Sequence, residues 1–270
     1  MSLTIVGSTN RVASADALRR DAKAFMHVAV PMALLVLNGL GCATPIGVDQ
    51  MDAQDVRREI TGSVLSDAEL SQATDLVLQR LGLAERYEEE PKEVIILIRE
   101  QLVDAPDRAD RTFALSELCF HFALESGDTG YYLGSAILAY AYLFPENQED
   151  LSGPLDPRRR IAADLYNQGL AAGLRTGEDG ELELTPRTLT FPFGVVNLIV
   201  DEESLVWHPY QLKNFLPTVE FGVRGMRNRY RTPGLGAALI AGLEPLQGVE
   251  IPRGYRLPPN LNVPVASDKR

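Results

Sequence analysis

Asp201, Ser204 and His208 are the acid, hydroxyl and imidazole of a hydrolytic triad, so they pose the question of chemistry first. They crowd into the eight residues "DEESLVWH". A working triad draws its members from separate elements and backs the nucleophile with oxyanion donors. The chain also contains no Gly-x-Ser-x-Gly, so the strand-to-helix elbow of a serine hydrolase is missing. These three residues therefore read as parts of a polar turn. Glu117 and His121 stand four residues apart and can share a helix face, as some metal ligands do. With no third ligand nearby, they read as a hydrogen-bonded pair at the edge of a helical core, and no metal site is expected. Cys119 sits among apolar neighbours and reads as core packing. Arg224, Arg227, Arg229 and Arg231 fall within eight residues of an acidic chain. One reading is docking of an acidic partner, a phosphate or lipid headgroups, because Arg presents a fixed fork to such groups. Internal pairing with carboxylates of the preceding helices is the plainer one. "RTPGLGAAL" lacks the Gly-Lys-Ser/Thr ending of a phosphate loop, and no cofactor is expected.

Near the N-terminus, "HVAVPMALLVLNGLGCATPIGV" runs from His27 to Val48. Arg19, Arg20 and Lys23 precede it, the apolar stretch follows, and Gly39 and Gly41 lead into Cys42. Positive, then apolar, then small is the layout of a secretory signal. Ala24 to Leu40 falls short of the roughly 20 apolar residues that a spanning helix needs. Export is favoured over an uncleaved anchor or a buried helix. The Gly41-Cys42 ending resembles the lipobox of bacterial lipoproteins, with Gly39 where that pattern usually has Leu. The resemblance implies cleavage before Cys42 and acylation of that residue, so residues 1–41 are expected to be a signal peptide. Acyl chains on Cys42 would hold the protein at a membrane surface. A Cys42–Cys119 disulfide stays open at this level.

A net charge of −11 argues against nucleic-acid binding, which draws its affinity from Lys and Arg. Helical patterning begins at Met51 and recurs in "LSDAELSQATDLVLQRLGL", where Ser66 and Glu69 have capping-box spacing and Gly82 is a stop signal. Pro91 suits a first helical turn, with Val94, Ile95, Leu97, Ile98 and Leu102 forming an apolar face. Phe113, Leu115, Leu118, Phe122 and Leu124 lie near helical spacing up to Gly127. "DTGYYLGSAILAYAYLFP", stopped by Pro145, is apolar almost all round and is expected to be the central buried helix. "ENQEDLSGPLDP" reads as a linker before a last amphipathic helix, "RRRIAADLYNQGLAAGL". Beyond "RTGEDGE" the period shortens, in "LELTPRTLTFPF", "VVNLIV", "SLVWHPYQL" and "PTVEFGVRG". The expected fold is α+β: an antiparallel helical array of tetratricopeptide-like pairs over residues 42–177, then a small β-rich unit over 178–270. No clean 34-residue repeat is present.

Three segments, "LSELCFHFALESGDTGYYLGSAILAYAYLFP", "DPRRRIAADLYNQGLAAGL" and "FLPTVEFGVRGMRNRYRTPGLGAAL", resemble the N-terminal, non-catalytic region of a group of bacterial envelope lipoproteins classed as α/β-fold hydrolases. In that group a serine hydrolase domain follows. Here the text ends at "LNVPVASDKR", about where that domain would begin, so none of its catalytic residues has a matching position. "NLNVPV" is expected to be a first strand of the missing domain, left without its sheet. The resemblance implies an accessory or scaffold region of an esterase- or lipase-like protein, anchored in the envelope through Cys42 and facing the periplasm from the outer membrane. Its implied partners are the membrane and a hydrolase domain or partner protein. The alternatives are a helical protein-binding scaffold in the envelope and a stand-alone esterase.

Overall fold

The computed structural model describes residues 62–66, 68–176, 180–218, 221, 234–246 and 255–266. Cys42, Arg224, Arg227, Arg229 and Arg231 lie outside them, as does the signal segment 1–41.

Six α-helices occur among the described residues: α1 (Gln72–Leu81), α2 (Ala84–Glu89), α3 (Pro91–Glu100), α4 (Arg108–Ser126), α5 (Thr129–Leu143) and α6 (Arg158–Gly173). Their ends follow from local chemistry. Gly82 takes a left-handed φ of 65° and its N–H donates to the carbonyls of Gln79 and Leu78. Leu83 N–H reaches back to Leu78 as well, which closes α1 in the manner of a Schellman cap. Pro91 opens α3, where its missing N–H costs nothing. Gly127 ends α4 at a φ of 73°, and the Asp128 side chain accepts from Gly130 N–H to start α5. Pro145 lies just beyond the end of α5.

The expected capping box at Ser66 and Glu69 does not form, and α1 begins later, after Ser71. Ser66 instead closes a local turn, its Oγ accepting from Ser63 N–H and donating to Ser63 O, both at 3.0 Å. Ser71 stands at the N-cap without a side-chain cap, because its hydroxyl is turned to Glu117.

The most enclosed helix is α4 rather than α5: residues 112–120 are buried without interruption. The reason is its neighbours, since α1, α3, α5 and α6 all pack on it, whereas α5 packs on α4, α6 and a β-hairpin. Helices α5 and α6 approach closely at Gly169 and Gly173. A Cβ on Gly169 would lie 2.7 Å from Tyr132 O, and one on Gly173 2.8 Å from Leu133 N. The spacing of one helical turn puts both hydrogens on the seam, so the two backbones come nearly into contact.

Six strands occur among the described residues of the β region: β1 (Arg187–Phe191), β2 (Gly194–Leu198), β3 (Val206–Trp207), β4 (Tyr210–Pro217), β5 (Ala237–Pro245) and β6 (Asn260–Leu261). β1 and β2 form an antiparallel hairpin, and β3-β4-β5-β6 form a second antiparallel sheet. The register of β4 against β5 shifts between Lys213 and Leu216, where Asn214 takes a φ of 53°. Asn tolerates that left-handed backbone better than a bulky residue. Within this bulge Phe215 is buried and its carbonyl accepts from Leu182 N–H at 2.8 Å.

Helices and sheet share one hydrophobic cluster, in which Phe215, Leu239 and Ala241 meet Leu165, Tyr166 and Leu174. Asn167 of α6 fixes the approach to β5, accepting from Gly236 N–H at 2.6 Å and donating to Gly234 O at 2.9 Å. Part of "NLNVPV", expected to lack a sheet, is the strand β6 paired with Ala237 and Ala238 of β5. Tyr166 extends this tie, because its hydroxyl meets Asn262 Oδ1 at 2.9 Å, Val263 O at 2.7 Å and Val263 N–H at 2.8 Å. Burial pushes the Tyr166 phenol up to about 12. No helix among the described residues is long and apolar enough to cross a membrane.

Candidate functional site

Ser204, the hydroxyl among the triad residue types, donates to Asp201 O at 2.6 Å. Asp201 uses its Oδ1 to accept from Glu203 N–H at 3.1 Å, capping a 3₁₀ turn over Glu202–Leu205. Both are exposed, as is His208, and the hydroxyl and carboxylate are engaged in local turn bonds. Asp201 and Ser204 share the 3₁₀ turn, whereas His208 follows β3 in the turn that leads to β4.

Glu117 and His121 do not pair with each other. The Glu117 carboxyl is fully buried and accepts from Ser71 Oγ at 2.5 Å, Thr74 Oγ1 at 2.6 Å and Val64 N–H at 3.2 Å. His121 turns instead to Tyr87, whose hydroxyl lies 3.1 Å from Nδ1. The i,i+4 spacing holds, yet one side chain faces α1 and the other faces α2. No group of three or more His, Cys, Asp or Glu suited to a metal ion occurs among the described residues. Cys119 is a free thiol, wholly buried beside Tyr87, Val94 and Ile95, and burial pushes its pKa up. Such a thiol is packing rather than a nucleophile.

What sequence reading did not find is a groove of about 400 Å³ lined by α5, the hairpin and the α3–α4 junction. Its floor is apolar, built by Ile137, Leu138, Ala141 and Tyr142 of α5. The hairpin turn supplies a wall of Phe191 and Phe193, packed edge to face with centroids 6.0 Å apart. Small residues on α5 make room for that turn: a Cβ on Gly130 would lie 3.3 Å from Thr190 O, and one on Gly134 3.5 Å from Pro192. The opposite wall is the end of α3 and the start of α4, carrying Arg99 and Arg108. Arg108 donates to Val103 O and pairs with Asp150 at 3.7 Å. Arg99 lies over the Phe193 ring at 5.9 Å. A volume of this size, mostly apolar with a few polar groups at the rim, has the character of a small-ligand site. The sequence signal was faint, because its parts come from four separate stretches between Arg99 and Phe193.

Beneath one end of the groove lies a second charged assembly. Arg158 of α6 pairs with Asp156 at 2.8 Å and Asp110 at 2.7 Å, and lies over the rings of Phe113 and Tyr142 at 5.8 and 5.7 Å. Arg80 of α1 joins at Asp110, 3.1 Å away. The Arg158 hydrogen bonds hold the Asp156 carboxyl below the usual range against desolvation. For Asp110, burial acts upward but the bonds from Arg158 and Arg80 outweigh it and leave the pKa lowered. No protein family, curated protein or solved structure matches the chain.

Proposed function

We propose that this chain is an envelope-anchored accessory protein, attached to a membrane through acylated Cys42, whose folded body positions or docks a hydrolase-like partner domain. The signal layout and the resemblance to the front region of envelope hydrolases support it. Among structural features, the observation that carries it is the β region's exposed apolar side chains. Val195 on β2, Ile199 just after it and Trp207 on β3 are 66%, 87% and 47% exposed. In this reading a partner surface covers these apolar side chains. In this reading the helices act as a rigid base, and the arginines at 224, 227, 229 and 231 add a docking surface for acidic or anionic groups. Outer-membrane attachment facing the periplasm is part of the same proposal.

A second reading is a helical binding scaffold built on tetratricopeptide-like pairs and needing no hydrolase. The close seam of α5 on α6 and the packing of α4 on α5 favour it. A test separates an accessory role from catalysis by this chain itself. Purified full-length protein is expected to turn over short acyl esters no faster than buffer. Turnover that disappears on Ser204→Ala or His208→Ala would make the chain an esterase and overturn the accessory role.

A further inference from the structure

The groove between α5, the hairpin turn and the α3–α4 wall has one uncommitted charge. Of its carboxylates, Asp150 pairs with Arg108 and Glu146 is engaged within the chain. The Thr112 hydroxyl donates to Arg108 O at 2.8 Å. Arg108 is held by Val103 O as well as by Asp150. Arg99 alone among the groove's charged side chains has no carboxylate partner among the described residues, and its guanidinium lies over the Phe193 ring at 5.9 Å. A guanidinium held over a ring has lost part of its freedom already and keeps its N–H fork for an incoming anion. The floor offers no free polar handle, since Ile137, Leu138 and Ala141 are aliphatic and the Tyr142 hydroxyl donates to Asp156 at 3.0 Å.

An anionic head at the edge and an apolar body along the floor are the two halves of a fatty acid. We propose that this groove binds a medium-chain fatty acid, its carboxylate on Arg99 and its alkyl chain laid along Ile137, Leu138 and Ala141 between α5 and the Phe191–Phe193 wall. Burying each methylene contributes roughly 0.8 kcal/mol, so the chain supplies affinity while Arg99 supplies the choice of head. The site rests on the groove's geometry alone and is independent of the accessory role proposed above.

Titration calorimetry with the unacylated full chain (Cys42→Ala) tests it, using decanoate and decanol below their aggregation limits. Saturable binding of one decanoate per chain is expected, tighter than decanol by about ten-fold, the range of one charge-assisted contact. Arg99→Ala removes that preference, and Arg99→Lys restores part of it. Ala141→Trp, which fills the floor, abolishes saturable binding of both. Arg99 is half-buried and makes no ion pair among the described residues, so its variants keep the test decisive even where Ala141→Trp fails to fold. Absence of saturable decanoate binding, or a decanoate preference that survives Arg99→Ala, overturns the proposal.

Discussion

Glu117 is enclosed on every side, yet its carboxyl group meets three donors brought by the segment before α1 and by α1 itself. Ser71 and Thr74 lie one turn apart and share one oxygen, so this residue fastens α1 to α4. Removing the acceptor leaves two hydroxyls and an N–H without a partner in a dry place, at 1–3 kcal/mol each when nothing replaces it. Glu117→Ala is therefore expected to lower unfolding free energy by about 3 kcal/mol, and Glu117→Gln by about 1–2 kcal/mol, read by urea denaturation. A Glu117→Ala protein as stable as its parent would show that the cluster contributes little. The same residue explains what the sequence could not reveal. Ser66 and Glu69 had the right spacing for a capping box, but Ser66 bonds the Ser63 backbone, and a carboxyl 46 residues beyond Ser71 determines where that N-cap serine points. Contacts at that separation leave no trace in a local window. His121 is the companion case, since its i,i+4 spacing to Glu117 was legible and its turn toward Tyr87 was not.

Elements ended by Gly and Pro were the most legible, because those residues act through their own backbone. Gly82, Pro91, Gly127 and Pro145 mark helix boundaries in the folded chain as they do in the sequence. The strand β5 was not legible. "AALIAGLEP" is rich in Ala and Gly, poor strand formers, and stands as a strand because small residues at Ala237 and Ala241 let α6 lie against it. The mixed α+β composition was readable from the change of period; the layering was not, since α4 becomes the inner helix only through the neighbours that cover it. Helices α1, α4 and α6 are also joined by charge, through Arg80, Asp110, Arg158 and Asp156. Asp110 and Asp156 titrate below the ordinary range in the folded chain. Their contribution is thus fully present above the unfolded carboxylate pKa and is lost as pH falls through the lowered folded values. The parent protein is expected to lose stability steeply below about pH 4. Arg158→Ala is expected to be less stable at neutral pH and to show a flatter decline with acid, followed by thermal melts from pH 7 to pH 2. Parallel pH profiles for the two would contradict this role for Arg158.

For the whole molecule, one hydrophobic cluster runs from the helices into the sheet, and Tyr166 ties residues 262 and 263 to α6. A body braced in this way suits a base that holds something else in place. The surplus of negative charge leaves an anionic membrane surface unattractive to the bulk of the chain, so the attachment proposed above would rest on an acyl anchor. The expectation at Cys42 rests on a short linear pattern, which lies outside the described residues. The exposure of Val195 and Ile199 was not legible, since it depends on how the hairpin lies against α5. The central claim, an anchored envelope protein, is tested most directly by intact mass of the chain produced in a bacterium with its own N-terminus, beside Cys42→Ala. The account predicts a mass for cleavage before Cys42 plus acyl chains, lost in the variant. An unprocessed, unmodified mass in both proteins would contradict it.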